Sequence, residues 1–141
     1  MDALAKVLFV VIGAAFFFLG GRGLFWNEAR EVERFRAIVS RGLATVMAES
    51  GVRNVLFGGL LAYASRTVPY SLSWQVLGLA IVILGAAVFA VARFNAPGTP
   101  RLEQMPEGPL LAKRVKARRV SGALYTVGGI IWVWNGLAVL S

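Results

Sequence analysis

Any chemistry performed by this chain would fall to seven carboxylates and fifteen lysines and arginines, because its 141 residues include no histidine and no cysteine. Histidine acid–base and triad mechanisms are therefore excluded. So are Cys/His zinc sites, thiolate chemistry and histidine-ligated haem. The acids are Asp2, Glu28, Glu31, Glu33, Glu49, Glu103 and Glu107. Only Glu28, Glu31 and Glu33 are close enough in sequence to share a cation. Arg30, Arg34 and Arg36 stand among them. Solvated pairs such as Glu31–Arg34 and Glu33–Arg36 are thus expected in preference to a metal. No glycine-rich loop carries a P-loop lysine and hydroxyl, so nucleotide hydrolysis has no support. No catalytic residue, cofactor or metal is expected, and no carboxylate lies within an apolar run, as ion-coupled transport would require.

The basic residues are more informative. A net charge of +8 on a soluble protein would point to nucleic acid. Here Arg93, Lys113, Arg114, Lys116, Arg118 and Arg119 abut apolar runs. At such positions they are expected to contact anionic lipid headgroups, with no nucleic-acid partner. Composition agrees: 57% of residues are hydrophobic, 16% are charged and the mean hydropathy is +0.68. An ordinary soluble domain is about a quarter charged. A chain this short cannot hide so much apolar surface within itself, so lipid is the expected solvent for the excess.

The elements that hold these charges follow from the apolar runs. Crossing a membrane takes about 20 apolar residues. Residues 4–25, 52–68, 72–92 and 120–140 are expected to do so, giving an all-α, integral membrane four-helix bundle. The second run is short, with Arg53, Asn54 and Arg66 near its ends, where arginine can snorkel to the interface. The first lacks a basic leader and a small-residue cleavage site, and is read as a retained span. Thirteen of the fifteen basic residues fall within 22–53 and 93–119, leaving Lys6 and Arg66 on the other side. Both long loops are therefore expected in the cytoplasm and both termini outside, in a bacterial cytoplasmic membrane. Trp26 and Trp74 suit an interfacial belt, with Trp132 and Trp134 deeper. Gln75, Thr126 and Asn135 are expected to hydrogen-bond to neighbouring helices.

The first loop reads as an amphipathic helix over residues 27–47. Asn27 can cap it, and Glu28 and Glu31 suit its positive end. Val32, Phe35, Val39 and Leu43 share one face and form an arm for a partner or the membrane surface, while Arg30, Arg34 and Arg41 lie opposite. Residues 95–109 hold four of the five prolines and are expected to be extended and non-helical. A basic helical turn or two then leads into the last span.

The two halves of the chain match each other. Val11-Ile12-Gly13-Ala14-Ala15-Phe16 pairs with Ile83-Leu84-Gly85-Ala86-Ala87-Val88, Arg22 with Arg93, Ser50-Gly51 with Ser121-Gly122, and Gly58-Gly59-Leu60-Leu61 with Gly128-Gly129-Ile130-Ile131. The offset stays at 70–72 residues throughout. This predicts two tandem helical hairpins, residues 1–70 and 71–141, related by an axis along the membrane normal. Gly13 and Gly20, Gly51 and Gly58, Gly78 and Gly85, and Gly122 and Gly129 are each seven apart. Each pair lies on one helix face and is expected at close helix–helix contacts. By the repeat, Gly58 and Gly128 should occupy equivalent places.

The segment Phe25-Trp26-Asn27-Glu28-Ala29-Arg30-Glu31-Val32 resembles the stretch after the first helix in LUMA-type membrane proteins. Those proteins carry a large extramembrane domain with no counterpart in these 141 residues. The resemblance covers under a tenth of the chain, and no function is carried over from it. The expected function is that of a non-catalytic membrane subunit that packs against and stabilises or assembles a larger membrane complex. The alternative is a small homo-oligomeric channel, holin or passive facilitator.

Overall fold

The computed structural model describes residues 3–140, with side chains described for residues 3–137. Asp2 and the expected ends of both repeats lie outside the described residues. Among the described residues the chain is all-helical. Its five α-helices are α1 (Ala3–Leu24), α2 (Glu28–Arg41), α3 (Leu43–Ala64), α4 (Ser71–Ala90) and α5 (Gly108–Leu140). A five-residue π-helical turn, Val91–Asn95, extends α4. The proline-rich loop is not wholly extended: a 3₁₀ turn spans Leu102–Gln104, held by the Arg101 N–H donating to Gln104 Oε1 at 2.8 Å. Pro109 stands in the first turn of α5, where its missing N–H costs no intrahelical bond.

Two helical stretches, Ala3–Leu24 and Ser71–Asn95, are long and apolar enough to cross a membrane. The other two expected spans sit in helices that begin much earlier, α3 at Leu43 and α5 at Gly108. Glu49, Arg53 and Asn54 interrupt the apolar face of α3, and the basic run 113–119 forms the first turns of α5.

The arm is shorter than the 27–47 expected. It ends at Arg41, because Gly42 adopts φ +94°, a conformation that excludes most side chains. The Gly42 N–H still donates to Ile38 O at 2.8 Å, closing α2. Leu43 is therefore not an arm residue; it opens α3. Thr99 Oγ1 accepts from the Leu43 N–H at 3.1 Å, so the second loop supplies the cap that Gly42 cannot. At the other end of the arm Asn27 Oδ1 accepts from the Arg30 N–H at 2.9 Å.

Backbone approach decides the pairing. α3 lies antiparallel on α4: a Cβ at Gly58 would stand 2.5 Å from Gly78 O, and one at Gly51 2.6 Å from Gly85 O. α1 lies antiparallel on α5: a Cβ at Gly23 would stand 2.7 Å from Gly122 Cα, one at Gly20 2.7 Å from Thr126 N, and one at Gly129 2.9 Å from Phe16 Cβ. Gly13 faces the Trp132 ring at 3.6 Å. Each long helix thus has its principal partner in the other half of the chain. The two pairings also differ in register. Gly51 meets Gly85, but Gly122, its match at offset 71, meets Gly20 and Gly23 and not Gly13. Accordingly Gly58 and Gly128 are not equivalent. Gly58 lies on backbone, whereas a Cβ at Gly128 would meet only the edge of Phe16 at 3.4 Å.

Aromatic side chains join the two pairs. Phe9, Phe16, Trp74 and Trp132 are buried together with Ile12, Leu61, Ala64 and Val68. Trp74 and Trp132 pack edge-on at 5.1 Å, Phe16 and Phe57 at 5.3 Å, and Phe9 stacks on Trp132 at 5.7 Å. Trp74 is therefore core and not belt. Thr126 donates to Gly122 O of its own helix at 2.9 Å, so its hydroxyl is satisfied without a neighbouring helix.

Candidate functional site

The polar chemistry of the molecule gathers where α1 turns into α2. The last turn of α1 closes with Phe25 N donating to Gly21 O and Trp26 N donating to Gly23 O, each at 3.1 Å. That turn swings Trp26 back under the bundle. Its indole Nε1 donates to Glu31 Oε2 at 2.8 Å. Arg22 and Arg118 place their guanidinium carbons 5.8 and 5.5 Å from its ring centroid, within cation–π range. Arg119 Nε donates to Trp26 O at 2.8 Å. Trp26 is consequently 6% exposed and is a hinge pin between α1, α2 and α5, not an interfacial belt residue. Glu31 is equally buried, with Arg118 Nε at 3.7 Å. Burial of a carboxyl group is costly unless hydrogen-bond and ion-pair partners of this kind meet it.

Two adjoining cavities open beside this corner, of about 780 and 300 Å³. Arg22, Trp26, Arg34 and Arg53 line both. The larger adds Arg30, Arg41, Glu33 and Glu49 from α2 and α3; the smaller adds Arg118, Ser50, Ser121 and Tyr125. The larger thus balances five arginines against two glutamates, and one of those, Glu49, is held by Arg41. Glu31 lines neither cavity. Among the described residues Arg34 and Arg53 make no ion pair with a carboxylate. Burial lowers the pKa of the half-buried Arg34 from its ordinary value, and Arg118, Arg53 and Arg22 push the same way against the opposing pull of Glu31. The arrangement offers many N–H donors around a concave space. Among the described residues no group of three carboxylates converges to hold a metal.

The Arg41–Glu49 pair clasps the end of α2 to the start of α3. The hydrogen bond from Arg41 holds the Glu49 carboxyl below its ordinary pKa. The clasp therefore contributes above the ordinary carboxylate range and is lost as pH falls through the depressed folded value. The protection factor of the Gly42 amide, its exchange rate corrected for the intrinsic pH dependence, should fall on acidification, and Glu49→Gln should remove that fall. A pH response identical in wild type and variant would refute the assignment.

The residues expected at the headgroup level are divided by the fold. Arg93, Lys113, Arg114, Lys116 and Arg119 are exposed, but Arg119 is committed to the Trp26 carbonyl, and Arg118 turns inward to Trp26 and Glu31. Of the residues expected in the arm, Phe35 is buried, Val32 and Val39 are partly covered, and so is Leu43 at the start of α3. Sequence reading places Trp26 in a belt, Arg34 on the polar face of the arm and Arg22 and Arg53 near the borders of apolar runs, but does not bring the four together. The available signal was topological: the borders of three apolar runs carry Arg22, Arg53 and Arg118, and the expected placement of both long loops on one side brings those borders to one level.

Comparison with protein-family models, curated proteins and solved structures finds no match for this chain.

Proposed function

We propose that this chain is a four-span integral membrane protein built from two tandem repeats, with both long loops cytoplasmic and both termini outside. In this reading it acts as a non-catalytic subunit that packs against a larger membrane complex and stabilises or assembles it. The observation that carries the membrane reading is where the apolar side chains point. Val10 and Phe18 on α1, Leu56 and Leu60 on α3, Val76 and Ile83 on α4, and Leu124 and Ile130 on α5 are all exposed. Only 17% of the apolar window of Ser71–Asn95 is buried within the chain. The core helix of a soluble protein would be mostly covered, and exposed apolar surface of this extent calls for lipid or protein.

The centre of the bundle leaves no room for a path through a single copy, so a channel built from this chain would have to run between copies. Phe16, Trp74 and Trp132 fill that centre, and Trp132 is fully buried. A conducting path within one chain would need that space, whereas a packing subunit needs only its outer faces.

Two measurements test the proposal. Reporter fusions near Val39 and at Pro100 should read cytoplasmic, and a fusion at Ser141, which lies outside the described residues, should read external. A cytoplasmic reading there would end the four-span topology. Purification in mild detergent should bring down unrelated membrane chains in a fixed ratio. Recovery as a homo-oligomer that conducts in liposomes would replace the subunit reading with the channel.

A further inference from the structure

We propose that Arg22, Arg34, Arg53 and Arg118, converging around Trp26 in the smaller cavity, form a binding site for a phosphate group. All four arginines line one space of about 300 Å³ although they come from α1, α2, α3 and α5. No carboxylate lines that space. Glu31, the nearest buried acid, is already engaged by the Trp26 indole and by Arg118 from outside it. Like charges gathered in a concave, partly desolvated site repel, and an anion removes that cost.

The donor chemistry selects phosphate. Guanidinium groups present planar forks of N–H donors that match two phosphate oxygens at once. Ser50, Ser121 and Tyr125 also line the space, and their hydroxyls are of the kind that donates to phosphate oxygens. The site also has a defined depth. Leu19, Phe57 and Gly122 form its apolar side, and Arg34 on the arm forms its polar side. This is the level at which a phospholipid headgroup would sit if the chain spans a membrane. The same geometry would take a soluble phosphate from the aqueous side. The lipid source rests on the membrane reading above; the phosphate site itself does not.

The test uses the full chain purified in zwitterionic detergent free of phosphate. In one arm it is exposed to mixed phosphatidylglycerol and phosphatidylcholine vesicles, re-extracted, and its bound lipid is weighed by native mass spectrometry. In the other, melting temperature is followed against inorganic phosphate. Wild type should retain phosphatidylglycerol selectively, be stabilised by phosphate through mass action, or both. Each arginine removed should weaken binding by about tenfold, as expected for a charge-assisted hydrogen bond. R34Q/R53Q should therefore lose the effect, while R36Q/R101Q, with the same charge change on exposed residues outside the cavities, should keep it. Lipid selectivity alone assigns a headgroup; phosphate stabilisation alone assigns a soluble ligand and leaves the membrane reading to its own test. In the absence of phosphate, Arg34→Gln should melt no lower than wild type, because it removes a desolvated charge among like charges. R34K/R53K, which keeps the charge but not the forks, supplies a folded variant with weakened binding. Equal losses in the cavity and surface variants, or neither selectivity nor stabilisation in wild type, would overturn the proposal.

Discussion

Truncating Trp132 to alanine should produce the largest single loss of stability in this chain, about 3–5 kcal/mol. The ring is fully buried, stacked on Phe9 at 5.7 Å and edge-on to Trp74 at 5.1 Å. Removing it leaves a void that joins both helix pairs, and every neighbour loses dispersion contacts that nothing else inside the bundle replaces. Its Nε1 also donates to Phe9 O at 3.1 Å, bridging α5 to α1. Trp132→Phe keeps most of the ring and forfeits that hydrogen bond, so it should cost less, about 1 kcal/mol from the bond alone. Two residues on, Trp134 is 77% exposed, and Trp134→Ala should leave the isolated fold within about 0.5 kcal/mol of wild type. Thermal unfolding in detergent, followed by circular dichroism, should rank the three variants in that order. A Trp134 variant less stable than the Trp132 variant would show that the aromatic cluster is not the keystone.

The second large effect concerns two adjacent glycines. Gly58→Ala should destabilise by about 1–3 kcal/mol, because overpacked backbones must move apart. A Cβ at Gly58 would stand 2.5 Å from Gly78 O and 2.8 Å from Val82 N, atoms that cannot turn away. One residue later, a Cβ at Gly59 would meet nothing within 4 Å. Gly59→Ala should therefore be neutral or stabilise by up to about 1 kcal/mol through helix propensity. Leucine sharpens the contrast: it should separate α3 from α4 at position 58 and point outward at 59. In the other pair the sensitive position is Gly129, facing Phe16 Cβ at 2.9 Å, and Gly128 should tolerate alanine. Melting temperatures of the four alanine variants decide the matter. Equal damage at 58 and 128 would restore the strict repeat symmetry and contradict the observed register.

Several features were legible in the sequence because their causes are local. The apolar runs at 4–25 and 72–92 are long enough to cross a membrane by composition alone, and α1 and α4 lie there. Asn27 caps α2 because its side chain needs only the backbone three residues on. Glycines seven apart share a face by helical geometry, whatever they meet. The break at Gly42 was also within reach, since a glycine after a basic last turn is a helix stop, but the apolar stripe running on to Met47 masked it.

What a glycine stripe meets is a different kind of fact. Gly20 and Gly122, or Gly51 and Gly85, come together only when whole helices dock, and the docking energy is summed over side chains far apart in sequence. The same holds for the aromatic centre: sequence alone could not decide that Trp132 is enclosed while Trp134 is exposed. The cavity is the extreme case. Arg22, Arg34, Arg53 and Arg118 each look like ordinary interfacial charges on separate elements. They become one site because the turn at Trp26 folds α2 back beneath the bundle while the first turns of α5 reach the same level. Local propensity set each helix, and long-range packing alone brought their charges within reach of one anion.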